Sequence, residues 1–300
     1  MKTLKFKKID AFTEGTSSGN PAGYIHMASG NILAAEEMQR IAAELKGFVN
    51  EVGFADLSGG QCRLRFYSSE CEVEFCGHAS IAIMYDLLSS DPELTKKKEV
   101  TIEVNAGTLT VYNHIEEDDA VYIMAPEPKF PDCGIDAGRI AESLGIHSSE
   151  INGGMPIRLV DGGLRTLIVP VTTLRTCLGM HPDQESLRFF CLQNGIDIIH
   201  VSTKETTTGS CSYRARIFAP KFGYLEDPAT GSGNAAFGYY LIDENLWHGD
   251  FSVEQGPDKS NPNFVKLRKI TKDGIGRILF GGCATTRIDG NYLLHSVKDI

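Results

Sequence analysis

One device appears twice in this chain. Cys76-Gly-His-Ala-Ser-Ile-Ala82 runs on into IMYDLL, and Thr230-Gly-Ser-Gly-Asn-Ala-Ala236 runs on into FGYYLI. Gly77 and Gly231 stand 154 positions apart, about half of the 300 residues. Each copy follows an Arg-x-Arg run of strand-like character, Arg63-Leu-Arg65-Phe-Tyr67 and Arg214-Ala-Arg216-Ile-Phe218. Small residues leading into an apolar stretch of helical length predict a helix start at both places. The implied object is a duplicated fold with two helix N-termini facing one cleft. Free backbone N–H groups and about half a positive charge at each terminus suit such a cleft to a carboxylate.

Length and composition are compatible with that reading. Three hundred residues, 42% of them hydrophobic, can supply a core to each of two domains. Pro126, Pro128 and Pro131 form the clearest linker, near where a duplication places a domain boundary. A net charge of −10 argues against a general nucleic-acid or anionic-membrane binder, since non-specific affinity for either grows with basic charge. The first ten residues are lysine-rich and alternating, and no apolar span reaches 18 residues, so a cytoplasmic protein with no membrane partner is expected. The eight cysteines show no CxxC or Cys/His metal spacing, which predicts thiols and no metal site.

Leu4–Phe12 alternates at period two as a half-buried strand does, and a second strand is expected from Tyr24. Ala34–Leu45 is patterned as a helix that Gly47 stops, and strands are expected at Asn50–Ala55, Cys62–Tyr67, Val100–Val104, Thr108–His114 and Val121–Met124. In the second half, helices are expected at Ile135–Leu144 and Gln184–Asn194. Strands are expected there at Pro156–Val160, Arg165–Val171, Ile196–Ser202, Ser212–Phe218, Phe251–Gln255, Asn263–Ile270 and Arg277–Gly282. Strands outnumber helices without βαβ repetition, so the class is α+β.

Glu51 lies in the apolar run Phe48-Val-Asn-Glu-Val-Gly-Phe54, where desolvation would raise a carboxyl towards a pKa suited to taking and returning a proton. The alternative is a strand-edge carboxylate that is solvated or paired with a cation. His78 falls in the first turn of the first repeated helix, where the dipole disfavours imidazolium; it is either a neutral donor or acceptor, or a packing or capping residue. Asp227 precedes the second repeated helix, as a functional carboxylate or as the ordinary charge complement of a helix start. Gly77, Gly231 and Gly233 would let backbone amides approach a ligand. Cys76, at a helix N-terminus, is a candidate thiolate base. Its counterpart in the other copy is Thr230, and Cys211 lies about twenty residues upstream in an expected strand, so a two-thiol racemase is disfavoured. A one-base design on Glu51 remains.

Asp10-Ala-Phe-Thr with Gly19-Asn-Pro-Ala22, Asn50-Glu51 with Phe54, Leu64-Arg-Phe with Cys76-Gly-His-Ala79, and Glu226-Asp-Pro-Ala-Thr-Gly-Ser232 together resemble the PhzF family of phenazine-biosynthesis-like proteins. The resemblance implies a fold like that of diaminopimelate epimerase: two pseudo-symmetric α+β domains, each a mixed sheet wrapped around a central helix, with the active site between them. The expected division is 1–125, completed by residues from about 288 to 300, and 126–287. It implies Glu51 as general acid/base, with His78 and Asp227 positioning the substrate and assisting proton movement. Gly77, Gly231 and Ser232, flanked by Cys76 and Thr230, would bind the substrate. No metal or organic cofactor and a homodimer are further implications. The expected activity is that of an isomerase or epimerase shifting a proton on a small carboxylate-bearing amino or cyclic acid.

Two departures bear on the transfer. The triplet around the glutamate is Asn50-Glu51-Val52 where the family has Ser-Glu-Thr, taking two hydroxyls from beside the carboxyl. Gln255-Gly256 is followed by PDKSNPN instead of a segment with Gly-Arg-Pro, so an arginine is missing. Two further readings compete: a non-catalytic binder of small anions or of a partner, and a thiol hydrolase using Cys76 and His78, which is weak because residues two apart at a helix start need not point at one another.

Overall fold

The computed structural model describes residues 1–27, 32–58 and 61–295. The chain forms two compact units, one from Met1–Thr13, Gly19–Ile123 and the chain from Gly281 onward, the other from Glu14–Ser18 and Met124–Phe280. Residues 296–300 of the expected completing segment lie outside the described residues.

The first unit contains β1 (Lys2–Ala11), β2 (Asn20–Met27), α1 (Ala35–Glu44), β3 (Glu51–Asp56), β4 (Cys62–Ser68), β5 (Glu72–Val73) and α2 (Gly77–Ser90). It continues through α3 (Pro92–Thr95), β6 (Glu99–Val104), β7 (Gly107–His114), α4 (Ile115–Asp118) and β8 (Ala120–Met124). The second contains α5 (Ala137–Leu144), β9 (Arg158–Asp161), β10 (Arg165–Pro170), α6 (Leu174–Gly179), α7 (Gln184–Asn194) and β11 (Ile198–Thr203). It goes on through β12 (Tyr213–Phe218), β13 (Glu226–Asp227), α8 (Gly231–Asp243), β14 (Phe251–Gln255), β15 (Asn263–Lys272) and β16 (Ile275–Gly282). The chain then returns to the first unit as β17 (Ala284–Leu294).

Strand pairing repeats step for step. In the first unit β1–β2 is antiparallel, β2–β3 parallel, β3–β4 antiparallel, β4–β6 parallel and β6–β7 antiparallel. In the second the same alternation runs through β9–β10, β10–β11, β11–β12, β12–β14 and β14–β15. Each mixed sheet wraps a central helix. A helix apolar on all sides must be covered all round; α2 buries the unbroken run Ala79–Met84, and α8 buries Gly233–Leu241. The first helix packs on β1, β2, β3 and β17, the second on β9, β10, β11 and β15. Gly53 of β3 lies so close to α2 that a Cβ there would meet Ile83 Cδ1 at 2.3 Å.

An outer layer covers the other face of each sheet. Met38, Ile41 and Ala42 of α1 pack with Val52, Phe54 and Tyr67, and α5, α6 and α7 bury Ile140, Leu144, Cys177, Leu187 and Phe190 against Leu167, Ile199, Val201 and Phe218. Each large apolar side chain so removed from water contributes about 1.5–3 kcal/mol.

Most expected elements lie within a few residues of those observed. The pattern predicts no strand beyond Gly282, yet β17 runs for 11 residues and pairs along the whole of β1, from Lys2 opposite Leu294 to Ala11 opposite Ala284. Thr286–Asp289 are exposed on both faces, and only the far end, Tyr292 and Leu294, joins the core, so its apolar alternation is short.

Candidate active site

Alternation along β3 places Glu51 on the same face as Gly53, the face against α2. Glu51 therefore reaches the amino end of that helix, where Cys76 is the N-cap residue and His78 sits in the first turn. The His78 Nε2 lies 3.4 Å from Glu51 Oε2, with the two side chains 12% and 21% exposed. Cys76 Sγ lies 3.4 Å from His78 Nδ1 and 3.9 Å from Nε2. Burial pushes the His78 pKa down to about 4, opposed in part by its hydrogen bond to the Pro21 backbone carbonyl. The imidazole is thus neutral at physiological pH. Strand β2, whose Ala22 is in register with Glu51, supplies that carbonyl.

The second helix start is built from different groups. Thr230 is the N-cap of α8, and its hydroxyl donates to Asp227 Oδ2. Gln255, fully buried at the end of β14, ties the turn together. Its Nε2 donates to the Asp227 carbonyl at 2.9 Å and to Thr230 Oγ1 at 3.1 Å, while its Oε1 accepts from Thr230 N at 3.0 Å and Asn234 Nδ2 at 2.7 Å. Beneath it, His200 Nε2 is 3.3 Å from Asn234 Oδ1 and its ring stacks on Phe237. Burial lowers the His200 pKa to about 4.

Arginine–glutamate pairs brace both turns. Arg65 binds Glu72 through two bonds of 2.7 and 2.9 Å before α2, and Arg216 binds Glu226 through two of 3.0 and 2.7 Å before α8. A bidentate pair fixes orientation as well as distance. These pairs also align the copies: Phe54 is opposite Arg65 as Val201 is opposite Arg216, so Glu51 corresponds to Ile198. On the short returning strands Val73 is opposite Phe66 as Asp227 is opposite Ile217, so Asp227 corresponds to Val73.

Within the first unit, the sequence-selected Glu51, Cys76, Gly77 and His78 come together; within the second, Asp227, Thr230, Gly231 and Ser232 do. Three readings need correction. Cys76 and His78 do approach one another, because the extended N-cap backbone of Cys76, φ −131° and ψ 110°, turns its thiol towards the first-turn ring. Gly233 is a packing glycine: a Cβ there would lie 2.8 Å from Ile217 Cδ1 and 3.1 Å from Ile198 Cδ1. Val52 removes no hydroxyl from beside Glu51, since it points to the opposite face of β3 and is buried with α1. Gln255 and Asn234 were not singled out from sequence as site residues; a Gln at a strand end carries no pattern that marks four converging hydrogen bonds.

One atom each of Glu51, Cys76 and His78 lies within 4.8 Å of the others, a carboxylate, thiol and imidazole set of the kind that can hold a metal. Among the described residues none of the eight cysteines is in a disulfide. Among the described residues no helix is long and apolar enough to cross a membrane.

The model of the phenazine biosynthesis-like protein family, PhzC-PhzF, matches residues 9–290. The chain is 28% identical over 288 residues to the uncharacterized isomerase YfhB of Bacillus subtilis, covering 95% of this chain and 97% of that protein. It is 26% identical over 238 residues to the trans-2,3-dihydro-3-hydroxyanthranilate isomerase of Pseudomonas fluorescens, covering 78% of each. The crystal structure of a PhzF-family phenazine biosynthesis protein of Bacillus anthracis matches with a TM-score of 0.85 at 27% identity, covering 98% of this chain and 100% of that one. Two sheet-wrapped helices with matching strand order, a glutamate and histidine at one helix start, and a family match across nearly the whole length lead to one statement: the chain belongs to the phenazine biosynthesis-like family and is an isomerase.

Proposed function

We propose that this isomerase shifts a proton on a small carboxylate-bearing amino or cyclic acid, with Glu51 as general base and then general acid, using no metal or organic cofactor. The observation that carries the proposal is the Glu51 carboxylate beside the neutral His78 ring at the amino end of α2, 3.4 Å from Nε2 to Oε2. Glu51 takes a proton from carbon; the C–H electron pair enters the conjugated system of the substrate, and the proton returns from the Glu51 carboxyl to another carbon or to the same one. His78, kept neutral, can donate or accept a hydrogen bond without adding a charge that would hold the proton on Glu51 too weakly. The amides at the amino end of α2 suit the substrate carboxylate and the charge that develops on it. Asp227, held by Thr230, is assigned to positioning the substrate's polar groups, with Gly77, Gly231 and Ser232 contributing backbone or hydroxyl contacts.

The relative from Pseudomonas fluorescens is named for isomerising trans-2,3-dihydro-3-hydroxyanthranilate, which makes dihydro cyclic acids of that type the first substrates to try. Incubation of such acids and of amino acids in deuterated water, followed by mass spectrometry, tests the assignment. Deuterium should enter with the wild type and not with Glu51→Gln. Equal incorporation by both overturns the role of Glu51, and a ligand bound in calorimetry yet never labelled shows a binder instead. The expected homodimer is tested by sedimentation of the full chain.

A further inference from the structure

We propose that Glu51, Cys76 and His78 form a site for one thiophilic divalent cation, best fitted by zinc, and that zinc bound there blocks proton transfer. The blocking clause rests on the role proposed above for Glu51; the binding clause does not.

Three donors of different chemistry converge from two elements, the carboxylate from the first residue of β3 and the thiol and ring from the N-cap and first turn of α2. Nε2 to Oε2 is 3.4 Å, and Sγ to the nearer and farther ring nitrogens is 3.4 and 3.9 Å. Tetrahedral zinc, with bonds of about 2.3 Å to sulfur and about 2.0–2.2 Å to nitrogen and oxygen, sets neighbouring donors about 3.3–3.6 Å apart. With Nε2 as the one ring ligand, Oε2 already stands at that spacing, while Sγ, 3.9 Å from Nε2 and nearer Nδ1, has to swing along the ring towards Nε2 to complete the set; the backbone around them is braced by the Arg65–Glu72 pair. A sulfur–nitrogen–oxygen set favours zinc over magnesium or calcium, which take oxygen donors. Three protein ligands leave one position for water or an anion, and the exposure of Glu51 and His78 leaves the ion an approach. On binding, the Cys76 thiol gives its proton to solvent and its sulfur lone pair to the metal. The Glu51 lone pair needed to accept a proton from carbon is then committed to zinc. The second helix start has no such set, because Thr230, Ser232 and Ile198 occupy the matching positions.

The test uses the full chain, stripped of metal with a chelator and titrated with Zn²⁺ alone by calorimetry and with Co²⁺ alone by absorption. One tight site per chain is expected, with a thiolate-to-cobalt charge-transfer band and the visible bands of a tetrahedral ion. Cys76→Ala and Cys76→Ser should both lose the charge-transfer band and weaken zinc binding at least about 100-fold, given that changes outside the ligand shell alone cost about 10–100-fold. Glu51→Gln should weaken it by a smaller factor, and Cys71→Ser, which alters an exposed thiol, should change nothing. Thermal melts of the metal-free variants establish that each is folded. Absence of a one-to-one site in the wild type, or unchanged binding in both Cys76 variants, overturns the proposal. The two readings fail separately: zinc binding without loss of exchange in Glu51→Gln supports the metal site and sinks the base, and exchange that depends on Glu51 without zinc binding does the reverse.

Discussion

At the start of α2 the N-cap Cys76 has φ −131° and ψ 110°, and at the start of α8 Thr230 has φ −124° and ψ 106°. The next turns agree too: Ser80 and Asn234, each four residues on, return a side-chain hydrogen bond to the N-cap carbonyl, at 2.7 and 2.9 Å. What differs is the chemistry hung on that shared backbone. The first unit puts a carboxylate, a thiol and a neutral imidazole in one half-buried cluster. The second places Ile198 where the first has Glu51, and joins its polar groups in a hydrogen-bonded network of Thr230, Asp227, Gln255, Asn234 and His200. One scaffold thus carries a cluster of titratable groups at one helix start and a hydrogen-bonded network at the other. A buried network whose members bond one another at several points is held rigid.

The largest effect expected from this asymmetry is on turnover. Glu51→Gln should lower isotope exchange by about 10³-fold, within the range typical of a lost general base. Asp227→Asn, which weakens a hydrogen bond to a charged group, should cost less, about 10–100-fold. Equal losses would mean that both helix starts carry proton chemistry.

The second test concerns the outer Arg–Glu pairs. Arg63 and Glu103 are 56% and 45% exposed, whereas Arg214 and Glu254 are wholly buried, with Thr207 and Thr208 also donating to Glu254. Arg214→Met should cost about 3–5 kcal/mol in urea unfolding because it strands a buried carboxylate. Arg63→Met should cost about 0–1 kcal/mol, as exposed pairs do. Similar costs would show that burial does not separate the copies.

Acid should then act on both units. His78 and His200 titrate near 4 in the fold and near the ordinary 6.5 of histidine in the unfolded chain. Between those values the unfolded state binds more protons, so stability rises with pH and is lost on going from 6.5 to 4, by up to roughly 3 kcal/mol per histidine. Urea midpoints measured across that window should fall, and His200→Gln should remove about half of the slope. The smallest contrast is between the caps. Thr230→Val leaves Asp227 and Gln255 short of a hydroxyl and should cost about 1–3 kcal/mol, while Cys76→Ala should cost about 1 kcal/mol, like a deleted buried methyl group. Chemical unfolding of the two variants side by side measures the difference.

The duplication and the two helix starts were legible in the sequence, and Glu51, His78 and Asp227 stood out there as candidates beside them. Glycine and small residues before an apolar run mark a helix start, and a carboxylate inside an apolar strand stands out against its neighbours. β17 was not legible. Its residues satisfy their backbone groups against β1, nearly the whole chain length away, and Thr286–Asp289 are exposed, so the alternation confined to Tyr292 and Leu294 is too short to mark the strand. Gly233 illustrates the opposite error: a glycine that looks suited to ligand approach leaves room for Ile217 and Ile198.

By itself, the sequence determined where two buried helices begin and which titratable side chains stand next to them, because hydrophobic periodicity and small-residue punctuation are local. Only the tertiary structure decided which groups touch. The pleat of β3 turns Glu51 towards His78, the extended Cys76 backbone aims a thiol at the same ring, and Gln255 arrives from β14 to lock the second helix start. These are contacts between elements distant in the chain or set by one pair of dihedral angles. No period in the sequence encodes them, since hydrogen-bond partners are chosen by where strands come to lie.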